Sequence, residues 1–213
     1  MIQAPAQTIS QAIRDQRRDR IIQVAKSVFF EEGYAAASMS MIAQRLGGSK
    51  ATLYAYFKSK EDLFRAIVSD QCCQVQDAID AQVDDTDVRR ALTNLGVKLM
   101  DMLLDDSSVR MLQLLVEEGP RSPGLARLFM EAGPQQGEQR LTEFFARAKA
   151  QGQLDIPDAN IAARQFSALV KGNLHFKRTL GLIEQPTPER IRQEVDEAVE
   201  MFMRAYGVKA AND

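Results

Sequence analysis

Tryptophan is absent from this 213-residue chain, histidine occurs once and cysteine twice. The cysteines, Cys72 and Cys73, are adjacent, so they can neither close a disulfide framework nor supply the spaced ligands of a zinc site. No oxidising compartment and no metal are implied. With one histidine and no GxSxG, GxGxxG, P-loop or Cys/His cluster, nucleophilic, dinucleotide and zinc chemistry all lack their usual parts. The acid pairs Asp84-Asp85, Asp105-Asp106 and Glu117-Glu118 are neighbours whose carboxylates point apart, which suits solvated helix ends rather than acid–base work. No enzyme and no cofactor are therefore expected. Long apolar runs are missing too, and the opening MIQAPAQTIS lacks the basic region and apolar core of a signal peptide. A cytoplasmic location without a membrane partner is the expectation.

Proline is also missing from Pro5 to Pro120, a span that only Gly33, Gly47, Gly48, Gly96 and Gly119 interrupt. Long helices suit such a stretch. Apolar residues then recur at helical spacing, for example Ile21, Val24, Val28 and Phe29, or Ile191, Val195, Ala198, Phe202 and Tyr206. No alternating strand pattern competes. Breaks fall at Gly33, Gly47-Gly48, Asp84-Asp85-Thr86, Gly119 to Gly124, Gly133-Pro134, Gly152 to Pro157 and Pro186 to Pro188. The composition, 45% hydrophobic and 26% charged, is that of a globular protein. About nine helices in an all-α fold are predicted.

Net charge is −2, but it is unevenly spread. Residues 1–60 carry nine Lys/Arg against four Asp/Glu, net +5, whereas the remainder carries eighteen against twenty-five, net −7. A basic module on an acidic body suggests a polyanion-binding head. Within that head, Ser38 is placed to cap a short helix whose inward face is Ile42, Ala43 and Leu46, and Gly47 to end it. Ser49 caps a second short helix that holds Leu53 and Phe57 inward. Ser59, with Asp62 three residues on, opens a third helix, expected to run from about Lys60 to Val83 and to join head and body without a flexible linker. Two short helices joined by a glycine turn make a helix-turn-helix. The second would turn Ser49, Lys50, Ala51, Thr52, Tyr54 and Tyr56 outward, small or hydrogen-bonding groups suited to a major groove and its phosphates. Ser38, Ser40 and Lys60 complete the candidate DNA contacts, Lys60 as a backbone clamp.

The residues Arg20-Ile21-Ile22, Ala25, Phe29, Gly33-Tyr34, Ile42-Ala43, Gly47, Ser49-Lys50, Thr52-Leu53-Tyr54, Tyr56-Phe57, Lys60-Glu61 and Leu63 resemble the TetR family of transcriptional regulators over roughly fifty consecutive positions. Gly48 departs from the pattern, which has an apolar residue there, and should loosen the turn. The segment LVEEGPRSPGLARLFMEAGP resembles the AefR-like C-terminal domain. The organisation that follows is a polar arm at 1–13, a DNA-binding domain at 14–68 and a regulatory and dimerisation domain at 69–213.

The resemblance implies a homodimer on palindromic double-stranded operator DNA, released by a small hydrophobic or aromatic effector and most often acting as a repressor. Met100, Met111, Phe129, Phe144, Phe145 and Phe166 serve a helical core by default, but methionine also suits a pocket for varied apolar ligands. They are the candidate lining, with Asn173 and His175 as orienting polar groups. Cys72 and Cys73 lack nearby cations and read as packing residues. The last two long helices carry more apolar surface than one core contact uses, and Val170, Leu174, Val195 and Phe202 are the candidate dimer contacts. The competing reading is a helical binding or adaptor protein that keeps the fold without recognising DNA.

Overall fold

The computed structural model describes residues 6–81 and 87–208. The expected break at Asp84-Asp85-Thr86 and the first five residues of the polar arm lie outside them. Among the described residues the helices are α1 (Ala6–Glu32), α2 (Met39–Leu46), α3 (Lys50–Tyr56), α4 (Lys60–Ala81), α5 (Val88–Leu104), α6 (Asp106–Glu118), α7 (Pro123–Ala132), α8 (Pro134–Ala150), α9 (Ala159–Thr179) and α10 (Pro188–Tyr206). An isolated bridge, Leu154 to Gly207, is the only β pairing among these residues. The all-α architecture of about nine helices holds, with one further separation, between α5 and α6, beyond the breaks and caps that the sequence marks. At Asp105 the backbone turns extended, and its carboxylate accepts from Ser107 N–H at 2.8 Å, so α6 starts afresh rather than continuing α5.

The chain divides into two compact units, residues 1–69 with 114–132, and residues 70–113 with 133–213. The divisions fall inside α4 and inside α6. Segment 114–132, which the sequence assigns to the body, thus packs with the head. In the first unit the periodic apolar stripe of α1 buries Ile21, Ile22, Ala25, Val28 and Phe29 with Ile42 and Ala43 of α2, Leu53 and Phe57 next to it in the chain, and Leu63, Phe64 and Ile67 of α4. Each Val, Leu, Ile or Phe among them removed from water contributes about 1.5–3 kcal/mol, which offsets the backbone entropy of helices too short to stand alone.

The core of the second unit comes from α5, α8, α9 and α10. Phe145 lies 5.8 Å from Phe166 and 5.2 Å from Phe202, Phe166 lies 5.4 Å from Phe202, and Phe144 stacks edge-on against Phe145 at 5.4 Å. These rings fill one another's space. Phe144, Phe145, Phe166 and Met100 are therefore interior packing in this structure, not the lining of an open pocket. Met111 is likewise buried, Phe129 is half-buried in the first unit, Asn173 is exposed and cannot orient an interior ligand, and His175 is half-buried.

The dimer candidates need the same correction. Val170, Leu174, Val195 and Phe202 are all buried within the protomer, so they cannot form its outer face. On α9 both apolar groups turn inward: Ala162 and Phe166 are buried as fully as Ala163 and Val170, so neither is left spare ahead of the break in the helix. The outward apolar groups are Ile161, Phe176, Leu180, Leu182 and Met201. Phe176, Leu180 and Leu182 come within ten residues after Gly172, whose φ of 46° and ψ of −150° interrupt α9 in a region that glycine alone enters readily. Beyond the break, Phe176, Leu180 and Leu182 are 55–69% exposed.

Candidate nucleic-acid interface

Three serines set the geometry of the head. Ser38 Oγ accepts from Met41 N–H at 3.3 Å, Ser49 Oγ from Thr52 N–H at 3.2 Å and Ser59 Oγ from Asp62 N–H at 3.1 Å, so α2, α3 and α4 each begin where their caps stand. Gly47, at φ 68°, ends α2 in the left-handed region, and paired bonds close the turn: Gly47 N–H to Gln44 O at 3.1 Å and Gly48 N–H to Ala43 O at 3.3 Å. The second bond ties Gly48 into the turn even without an apolar plug.

Leu53 and Phe57 anchor α3 from beneath, as their spacing requires. Opposite them Lys50, Ala51 and Tyr54 are exposed, Thr52 and Tyr56 are half-exposed, and Ser40 on α2 is exposed. Tyr54 shows 49% of its surface. The hydroxyls of Ser49 and Thr52 lie 3.0 Å apart, so the cap and the candidate base-reading threonine hold each other's orientation. The result is a short, rigid ridge of small and hydroxyl-bearing side chains, a shape that enters a major groove.

Lys60 is employed inside the protein. Its Nζ donates to the carbonyls of Tyr34 at 2.7 Å, Ala37 at 3.1 Å and Ala35 at 3.4 Å, and lies 4.4 Å from the Tyr34 ring centre. In this arrangement it pins the loop that feeds Ser38 rather than presenting its charge to a phosphate. Tyr34 itself is buried among Phe29 and Phe64, and its hydroxyl faces Glu61 Oε1 at 3.4 Å. Burial first, and the Glu61 carboxylate second, push that hydroxyl well above the ordinary tyrosine range, so it stays protonated.

Sequence reasoning missed Glu118. Its carboxylate, at the end of α6, accepts from Ala35 N–H at 2.8 Å and so grips from the other side the loop that Lys60 holds by its carbonyls. A signal existed, because Glu117 and Glu118 sit in the last turn of a helix, where the dipole disfavours acids unless something else holds them. Cys72 is pushed up to about 11, by burial and then by Cys73, whose thiol donates to Asp70 O at 2.9 Å. A thiol so raised is unreactive at neutral pH, but only Cys72 is partly buried, and Cys73 is exposed rather than packed. Among the described residues no group of three or more His, Cys, Asp or Glu could hold a metal, and no helix is long and apolar enough to cross a membrane.

Comparison with known proteins matches this geometry. Residues 21–67 match the family model for bacterial regulatory proteins of the tetR family, and residues 90–208 match that for the C-terminal domain of AefR-like transcriptional repressors. The HTH-type transcriptional activator FasR of Mycolicibacterium smegmatis is 46% identical over 55 residues, 26% of this chain and only a quarter of that protein's length. The HTH-type transcriptional regulator SrpR of Pseudomonas putida is 23% identical over 163 residues, 76% of this chain and 75% of that one. The structure of the flavonoid-responsive regulator FrrA is 34% identical, covers 92% of this chain and 100% of its own, and superposes with a TM-score of 0.73. A capped helix-turn-helix with an outward reading ridge, followed by an AefR-like helical body, makes this chain a DNA-binding transcriptional regulator of the TetR family.

Proposed function

We propose that the protein is a cytoplasmic homodimeric repressor that reads a palindromic operator with its two copies of α3 and leaves it when a hydrophobic or aromatic compound binds the C-terminal body. It acts by binding alone, without catalysis. The observation that carries the DNA half of this reading is the ridge of Lys50, Ala51, Thr52 and Tyr54 standing on buried Leu53 and Phe57. Thr52 and Lys50 select bases, while Tyr54 and Tyr56 reach phosphates.

Dimerisation is supported by the outward apolar groups Phe176, Leu180, Leu182 and Met201 and by an open groove along α10, bounded by Arg192, Asp196, Glu197, Glu200 and Arg204. Mixed charge on one helix face suits an isologous contact in which acids of one copy meet arginines of the other. Two heads related this way would present their α3 helices about 34 Å apart, one turn of DNA. The AefR-like repressor match supports repression, and the flavonoid response named for FrrA supports an aromatic effector. Because the phenylalanines of the body pack ring on ring, such a ligand would have to open its own space by favouring a different arrangement of the body.

Selection of a random duplex pool with the full chain, then anisotropy at several salt concentrations, tests the reading. A two-fold symmetric consensus bound with a steep salt dependence is expected. A panel of flavonoids should weaken that binding, each by the factor by which the operator weakens the flavonoid. A protein that selects no sequence would instead be a helical adaptor.

A further inference from the structure

Helix α1 is longer than the bundle it serves. Its 27 residues span about 40 Å, yet every residue from Gln11 to Arg20 is exposed and burial sets in at Ile21. The stretch from Gln11 to Arg20 overhangs the core and gains nothing from burial there. The family model that matches the head begins at residue 21, so the overhang lies outside it.

The overhang has a defined orientation. At 100° per residue, Arg14 and Arg18 fall on the same stripe as Ile21, Ile22 and Ala25, the side that packs into the head further along, and Arg17 flanks them. Side-chain contact agrees, since the Arg18 guanidinium sits 5.7 Å over the Phe57 ring, and Phe57 is the residue that caps the C-terminal end of α3. Arg18 therefore stands beside the end of the reading helix. Among the described residues no ion pair holds Arg14, Arg17 or Arg18, whereas Arg45 is taken by Glu31 and Glu32. Asp15 accepts from Gln11 at 2.9 Å. The stretch 11–20 carries four arginines against two aspartates, so its field is positive.

We propose that this overhang is a second DNA-contact surface: Arg14 and Arg18, with Arg17 beside them, neutralise phosphates of the duplex flanking the bases that α3 reads. The inference rests on the reading that α3 binds operator DNA. Duplex DNA is the occupant because the surface adjoins the end of α3, is cationic, and lacks the apolar groups of a protein interface apart from Ile13. Stacking on Phe57 fixes the direction of Arg18 without neutralising it, which leaves its charge for a phosphate.

The test uses the full chain and the duplex selected above, as a 40-base-pair probe and as a short probe trimmed to the bases that α3 covers. The double variant Arg14→Ala, Arg18→Ala is expected to bind the long probe about tenfold more weakly at low salt, with an unchanged consensus and a salt slope shallower by about 0.9 for each phosphate no longer neutralised. On the short probe it should match wild type. Arg18→Lys should keep the slope, and circular dichroism should show helix content retained in both. Thr52→Ala, Tyr54→Ala should weaken both probes, which separates the two surfaces. If the arginine double variant binds the long probe with wild-type affinity and slope while the α3 variant is impaired, the second surface is refuted and the reading of α3 stands. A wild-type protein that binds neither probe overturns both.

Discussion

Alanine at Gly47 and alanine at Gly48 should have opposite effects, although the two residues are neighbours in one turn. Gly47 sits at φ 68°, where a Cβ costs about 1–2 kcal/mol against the following carbonyl. Gly48 is not in the positive-φ region, and a Cβ there would meet no heavy atom within 4 Å. Both substitutions remove the same freedom from the unfolded chain, a stabilising effect of about 0.4–1 kcal/mol. That contribution is common and cancels in the comparison, so the two variants should differ by about 1–2 kcal/mol, the left-handed penalty alone. Gly48→Ala should be more stable than wild type by a few tenths to about 1 kcal/mol, and Gly47→Ala equal or less stable. Urea denaturation of the three proteins, followed by circular dichroism with a common m-value, measures this directly. Equal stabilities for the two variants, or the reverse order, would refute the assignment of left-handed geometry to Gly47 and with it the closure of the turn described above.

Three further outcomes follow from particular contacts. Glu118→Leu should free the Ala35 amide to exchange, cost about 1–2 kcal/mol and lower operator affinity, while Glu118→Gln, which keeps an acceptor oxygen, should restore most of both; amide exchange and anisotropy check it, and an unchanged Ala35 exchange rate in the leucine variant would count against the contact. Burial first, and Lys171 second, hold His175 below its ordinary value of 6.5, so the unfolded chain takes up the proton more readily. Stability should therefore fall as pH drops from about 6.5 toward the lowered folded value, be indifferent above about 7, and lose that acid-side slope in His175→Gln, as denaturation at several pH values would reveal. Phe176→Glu with Met201→Glu should yield folded monomers by light scattering, whereas Val170→Asp should unfold the body, since it places an unpaired charge in the core; a folded monomeric Val170→Asp protein would reverse the burial assignment.

Much of the head was legible in the sequence because its determinants are local. Ser38, Ser49 and Ser59 each accept from the amide three residues on, and Leu53 and Phe57 point inward, as spacing alone requires. Caps, turns and periodicity act over one to four residues, so the chain states them directly. The family resemblance extends that legibility to function. What only the tertiary structure decided involves partners far apart in sequence: Glu118 on Ala35, Lys60 on the carbonyls of residues 34 to 37, and Arg18 over Phe57. The same holds for α9 and α10, whose apolar surface exceeds one contact in the sequence, while the structure buries Val170, Leu174, Val195 and Phe202 within the protomer. A helix's hydrophobic pattern records that a face will be buried, and the packing of the other helices determines which face it is and whether aromatic side chains meet one another or a ligand.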